Sequence, residues 1–239
     1  MTEFFQYLFG DFHGKVLATL IVATQYTVYL SLAAFVGGGL VGLILTACRM
    51  SGVRLLKNTA SSYVWLFQSI PLLMLLFILG LGVPVYFQVD VPAWLAAGIS
   101  LTLFTSAYLA EVWRGALEAV SKGRWEGGES LGLTYWKTLR LVVAPQALQI
   151  AIPPTVGFLV QIIKGTSLAY IIDFNDVMRW GKKIANSQLD GAEPFIIFPM
   201  VALIYFSLCF PLSMLSRRLE KNLLTERGIS APKTLAQGA

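Results

Sequence analysis

Charge is what this chain has least of. Only 13% of its 239 residues are Asp, Glu, Lys or Arg, about half the share found in an ordinary soluble domain. Histidine occurs once, as His13, and cysteine twice, as Cys48 and Cys209. A single histidine excludes a histidine-rich metal site and a His-centred catalytic triad. The two cysteines lie in or beside apolar runs and are read as small buried hydrophobes, not as a disulfide or metal pair. Buried pairs of carboxylates suited to acid–base hydrolysis are missing. So is a phosphate-cradling GxxxxGK[ST] loop, because the glycines from Gly37 to Gly42 sit in an apolar run with no lysine after them. An enzyme doing its own covalent chemistry is therefore disfavoured, and the chain is expected to bind no metal or cofactor itself.

Apolar residues supply the rest. They make up 56% of the chain, and the mean hydropathy is +0.68. A soluble protein of this size lacks the interior to hide that much apolar surface. Charge-free runs extend from Val16 to Cys48, Asn58 to Val89, Val91 to Ala110, Leu141 to Ile163 and Pro194 to Ser216. Each reaches the roughly 20 residues that cross a hydrocarbon core about 30 Å thick. The expectation is an all-α, polytopic membrane protein with about five crossings and the lipid bilayer as its solvent. The first run is too long for a cleavable signal region, and it follows Glu3, Asp11 and only one base, Lys15.

The few charges set the orientation. With the N-terminus outside and the C-terminus inside, the cytoplasmic side receives Arg49, Arg54, Lys57, Arg114, Lys122, Arg124, Lys137, Arg140, Arg217, Arg218, Lys221, Arg227 and Lys233, which is 13 of the 18 bases. Lys15, Arg179, Lys182 and Lys183 stay outside, with Lys164 in or near the fourth crossing. The reverse orientation would oppose the positive-inside tendency. This one-sided placement also accounts for the net charge of +5 without nucleic acid as a partner.

Along the chain, the first crossing is expected at about Leu17 to Ala47, longer than the membrane requires and so tilted or projecting. Its Gly38 and Gly42 form a small-xxx-small spacing, read as close helix packing. The second crossing is expected from Thr59 to Leu81, interrupted by Gln68, Ser69 and Pro71, which either line a gate or mark a kink satisfied by neighbours. The third spans Ala93 to Trp113 and ends at Glu111 and Arg114, three apart and able to pair. The inner connection from Gly115 to Leu148 is too long to be structureless. It is expected to hold two short helices, near Trp125 to Leu131 and Tyr135 to Val143, separated by Gly132.

Pro145, Pro153 and Pro154 break the start of the next apolar run, so the fourth crossing is placed at Pro154 to Ile172 with Lys164 inside it. A lysine there faces either a wet path or a structural partner. In the outer loop from Asp173 to Glu193, Asp173, Asp176 and Asp190 lack a calcium-loop arrangement and are read as solvated. The fifth crossing is Phe195 to Ser216. Residues 1–225 are expected to form one membrane domain with its core at 17–219 and its inner loop at 115–148, followed by a flexible cytoplasmic tail at 226–239.

The inner connection carries a pattern. Glu126-Gly127-Gly128, then Gly132, then Val142-Val143-Ala144-Pro145 resembles the EAA loop of bacterial ABC importer permeases, normally Glu-Ala-Ala, Gly and Ile-x-Leu-Pro. Glycines stand in place of the two alanines, which would loosen a short helix by up to about 1 kcal/mol each. Ala144 stands in place of leucine. Phe67-Gln68-Ser69-Ile70-Pro71-Leu72, Glu111-Val112-Trp113-Arg114-Gly115, Lys122 to Glu126, Pro145-Gln146-Ala147-Leu148 and Lys164-Gly165-Thr166-Ser167-Leu168 are similar to the polar-amino-acid uptake branch. That branch commonly has Asp where Gly165 sits. In order and spacing the resemblance covers Thr19 to Leu219.

The resemblance implies the type I ABC importer permease fold in a bacterial inner membrane, with ATP and Mg on partner subunits. Two cytoplasmic ABC ATPases, a second identical or homologous permease and an extracytoplasmic amino-acid-binding protein would complete the complex. Glu126, Gly127, Gly128, Gly132 and Pro145 would then couple to the ATPase. Gln68, Ser69, Pro71, Lys164, Thr166 and Ser167 are candidates for the path or gate of a polar or acidic amino acid. The competing classes are a secondary transporter or channel, which should show inverted halves or converging intramembrane charges, and a membrane scaffold using the same loop.

Overall fold

A computed structural model describes residues 11–187 and 193–226. The chain runs through α1 (Asp11–Met50), α2 (Arg54–Ser69), α3 (Leu72–Phe87), α4 (Ala93–Glu118), α5 (Lys122–Ser130), α6 (Tyr135–Ile172), α7 (Val177–Ala185) and α8 (Pro194–Glu226). Four of them, α1, α4, α6 and α8, are long and apolar enough to cross a membrane, and the bent pair α2–α3 supplies a fifth crossing if counted as one span. With 40 residues, α1 is about 60 Å long, roughly twice a hydrocarbon core, in keeping with a crossing that tilts or projects. The expected tail at 226–239 lies outside the described residues save for Glu226, and Asp190 lies outside them too.

The α1–α4 seam is built on small residues. A Cβ on Gly38 would lie 2.5 Å from Thr105, and one on Gly42 would lie 3.2 Å from the Ser106 carbonyl oxygen. Larger side chains would push the two backbones apart. Beside this seam, Leu30, Ala34, Leu76, Leu101 and Ile162 form a buried cluster joining α1, α3, α4 and α6. At the inner end Glu111 pairs with Arg114, as its spacing predicts, and also with Arg49 of α1, while Arg114 reaches on to Glu118.

One expectation about proline is sharpened and another is corrected. The interruption expected at Gln68, Ser69 and Pro71 is a full break: α2 ends at Ser69 and meets α3 at 96°. Ile70 is extended (φ −92°, ψ 125°) and Pro71 stands ahead of the first turn of α3, because a residue before proline is pushed out of the helical region. Pro153 and Pro154, by contrast, do not break the fourth crossing. From Tyr135 the chain passes through a π-turn at Leu139–Val143, continues as α-helix over Ala144–Thr166 and tightens to a 3₁₀ turn at Ser167–Ile172. Pro153 is buried, and the Ser216 hydroxyl of α8 donates to its carbonyl. This bond ties α8 to the proline pair within α6. The expected second short helix, Tyr135 to Val143, is accordingly the root of α6.

Candidate functional site

At the inner end, α5 is a nine-residue helix set against the roots of α4 and α6. It ends at Leu131 and Gly132, and Gly132 sits at φ +75°, the left-handed turn that glycine adopts without strain. One face of α5 is fastened. The Trp125 ring stacks on Tyr135 at 5.4 Å, and the Tyr135 hydroxyl donates to the Met50 carbonyl at the end of α1. Gly128 is buried, and a Cβ there would lie 2.5 Å from Thr138. The glycine is therefore a fit to Thr138 of α6 and not simply a loosened alanine. Gly127 has open space in place of a side chain.

Val120, Val143 and Ala147 close the inner cluster, with Trp125, Leu117 and Leu139 against them. Pro145 is exposed and follows directly on the π-turn of α6. The opposite side of this block is open. Glu126 and Gly127 are exposed, and so are the large side chains of Leu131, Trp136 and Leu141. Charged and apolar surface side by side on a rigid root suits a protein partner.

Within the membrane, a cavity of about 460 Å³ opens beside Lys164, lined on its walls by Leu72, Phe104, Tyr108, Phe158, Gln161 and Ser167. Tyr108 stacks on Phe158 (5.3 Å) and meets Phe104 at a tilt (4.6 Å), the three rings forming a triangle. Lys164 makes no ion pair among the described residues, and it also borders a second cavity of about 470 Å³ with Tyr205, Cys209, Ser213 and Arg217. Lys164 is exposed in the last turn of the α-helical stretch; an ammonium in an apolar crossing needs a wet or anionic neighbour, and the two cavities supply the space. A side chain at Gly165 would meet Leu72, whose Cδ2 lies 2.9 Å from the Cβ position, so an acid in that position would require Leu72 to shift.

The remaining path candidates are scattered. The Gln68 amide donates to the Ala107 carbonyl at 3.4 Å, Ser69 is exposed with its hydroxyl bonded to the Trp65 carbonyl, and Pro71 is exposed beside Leu72 of the cavity wall. The Ser167 hydroxyl donates to the Lys164 carbonyl. Thr166 is fully buried and faces away from the cavity.

Thr166 belongs to an outer polar cluster that the sequence reading missed. Asp176 is not solvated but fully buried. One carboxylate oxygen accepts from the Arg179 N–H at 2.8 Å, capping α7, and the other accepts from the Tyr205 hydroxyl of α8 at 3.0 Å. The Val177 N–H donates to the buried Thr27 hydroxyl of α1 at 3.4 Å, and the hydroxyls of Thr166 and Thr27 also interact with that of Tyr205. Burial pushes the Asp176 carboxyl up to about 6, against the hydrogen bonds that favour its charge. An Asp three residues ahead of Arg179 is a helix N-cap spacing, the one local signal that could have found it. Among the described residues no three His, Cys, Asp or Glu side chains gather as a metal site would require.

Comparison with known proteins matches this architecture. Residues 38–225 match the family described as "Binding-protein-dependent transport system inner membrane component". The probable amino-acid ABC transporter permease protein YckA of Bacillus subtilis (strain 168) is 36% identical over 202 residues, 84% of this chain and 88% of that protein. The L-cystine transport system permease protein TcyB of the same strain is 36% identical over 198 residues, 83% of each chain. Among solved structures, an amino acid ABC transporter with histidines superposes with a TM-score of 0.81 at 29% identity, over 87% of this chain and 95% of that one. The fold, the inner loop and these relatives agree, and the chain belongs to the binding-protein-dependent inner-membrane permease family as the non-catalytic permease subunit of a bacterial ABC-type amino-acid importer.

Proposed function

We propose that the cavities beside Lys164 form the path of a polar or acidic amino acid, and that the surface at Glu126, Gly127, Gly128, Gly132 and Pro145 receives the ATPase. Two cytoplasmic ATPases, a second identical or homologous permease and an extracytoplasmic amino-acid-binding protein complete the working complex, with residues 1–225 as its membrane domain here. The observation that carries the substrate reading is Lys164. It is a membrane-embedded ammonium without an ion-pair partner among the described residues, bordering both cavities. An entering α-carboxylate or side-chain carboxylate provides the counter-charge, and the aromatic wall offers apolar contact around it.

Coupling follows from the fastening of α5. Closure of the ATPases shifts a helix that is stacked on Tyr135 and seated on Thr138. Both belong to α6, the helix that carries Lys164. Force at the inner surface thus reaches the cavity wall along one element, and the two ends bias a two-state membrane cavity. Pro71 and the 96° break between α2 and α3 leave Leu72 free to shift against α6 without unwinding a continuous crossing.

The test is reconstitution of the whole complex in proteoliposomes with the isosteric pair glutamate and glutamine. Uptake should require ATP inside the ATPase-bearing compartment, and Lys164→Gln should lower glutamate uptake at least tenfold while sparing glutamine by comparison. Equal loss of both substrates would assign Lys164 to the α-carboxylate that they share, and no loss of either would remove it from the path. Uptake driven by an ion gradient without ATP would overturn the coupling scheme.

A further inference from the structure

The outer helix α7 is cationic where the topology disfavours it. Arg179, Lys182 and Lys183 all fall on its nine residues, on the side where positive-inside placement makes bases scarce. Arg179 is satisfied locally by Asp173 and Asn175. Lys182 and Lys183 are exposed and make no ion pair among the described residues. Each is held over an aromatic ring, Lys182 at 4.7 Å from the centre of Tyr170 and Lys183 at 4.8 Å from that of Trp180. Such contacts orient an ammonium without neutralising it. Together with Asp173, Asn186 and Tyr170 these bases border an open hollow of about 490 Å³.

The apolar face of α7 is already occupied. Val177 is buried with Val16, Leu20, Ile197 and Val201, from α1 and α8. Gly181 lets Val201 approach to 2.5 Å of its Cβ position. A helix bound to lipid would need that face for acyl chains, so its charged side is turned to water by default. The buried Asp176 cap and its bond to Tyr205 fix the helix in this attitude. Tyr205 in turn lines the cavity that Lys164 borders.

We propose that α7 is a docking helix for an acidic surface patch on the extracytoplasmic amino-acid-binding protein, with Lys182 and Lys183 as its exposed contacts. The proposal rests on the reading of the chain as a binding-protein-dependent importer and adds the surface and the charge sign of the encounter. Exposed charges of this kind act mainly on the rate and salt dependence of association. Contact at α7 is passed through Asp176 and Tyr205 to the wall of the substrate path.

The test uses the full complex in phosphatidylcholine vesicles, with its substrate-loaded binding protein titrated against ATPase activity. The double variant Lys182→Glu with Lys183→Glu should raise the KM for the binding protein about tenfold, leave the maximal rate within about twofold, and flatten the salt dependence of KM. The double Lys→Arg variant should behave as wild type. Unchanged KM and salt dependence in the Glu variant would overturn the proposal. So would an effect that appears only when phosphatidylglycerol is added, since that assigns the lysines to lipid headgroups. A wild-type complex that shows ATP-driven uptake without any stimulation by the binding protein would sink the binding-protein-dependent reading and the docking surface with it. Stimulation that persists unchanged in the Glu variant sinks the docking surface alone.

Discussion

Two nine-residue helices hang from opposite ends of α6, and they are held in different ways. At the inner end, α5 has no side-chain cap at Ser121, leaves most of its residues exposed and is seated through one glycine and one ring stack. At the outer end, α7 is capped by a buried carboxylate, shares a hydrophobic cluster with α1 and α8, and meets α8 across Gly181. The difference matches the expected tasks. A lever that follows an ATPase needs one firm seat and a free surface, whereas a helix that receives a partner from outside needs a fixed attitude.

Variants can break that contrast. The largest effect is expected at Gly181→Val, which drives a branched side chain into Val201. Overpacking of this kind costs about 1–3 kcal/mol, so the thermal midpoint of the purified protein should fall by several degrees and Val201→Ala should recover much of it. No change in midpoint would mean that α7 is not clamped to α8. Next comes Gly132→Val at the inner turn, where a left-handed conformation costs an L-residue about 1–2 kcal/mol. Here the expected loss is chiefly in transport per ATP hydrolysed, by about tenfold, with membrane insertion retained and a fall in midpoint smaller than that of Gly181→Val. A lower midpoint with intact coupling would reverse the assignment of lever and anchor.

Smaller still is Gly128→Ala, which collides with Thr138. Coupling should fall a few-fold and return in part when Thr138→Ala is added, a double-mutant cycle that reads the α5–α6 contact directly. Additive losses would show that the contact transmits nothing. The smallest effect concerns pH. The Asp176 carboxyl is raised from 3.8 to about 6, so the native state holds its proton more tightly than the unfolded chain. The stability contributed by this group is present in full below pH 4 and is lost as pH rises through about 6. The midpoint difference between pH 5 and pH 7 should therefore shift in Asp176→Asn, with the wild type relatively more stable at pH 5. An identical pH profile in the two proteins would argue that Asp176 is not titrating while buried.

Much of the inner end could be read from the chain because its determinants are local. Glu111 and Arg114 lie three apart, Gly132 falls between two helix-compatible stretches, and the long charge-free runs mark the crossings. The interruption at Pro71 was readable but its 96° extent was not, and neither was the continuity through Pro153, because a proline's local effect is the same in both places. What differs is the packing each proline meets, Pro71 being exposed and Pro153 buried beside Ser216 of α8. Asp176 escaped for the same reason. Nothing in its immediate sequence marks it as buried: Tyr205, which bonds it, comes from α8, and Thr27, which bonds the next residue, Val177, comes from α1. The cavity beside Lys164 was half legible: the lysine announced itself as a charge in an apolar run, but Phe104, Tyr108 and Phe158 carried no signal apart from their hydrophobicity.

The α1–α4 seam has a consequence for how the protein is made. Its two halves are separated in the chain by the whole of α2 and α3. At the usual synthesis rate of about 5–20 residues per second, α1 leaves the ribosome several seconds before the helix that fits Gly38 and Gly42 exists. During that interval its glycine face meets only lipid or the insertion machinery, and Arg49 has yet to meet Glu111. Nascent chains stopped just before Ala93 should therefore expose α1 to crosslinking at Gly38. Chains extended past Glu118 should bury it, which would make the arrival of α4 the step that commits the molecule to its fold.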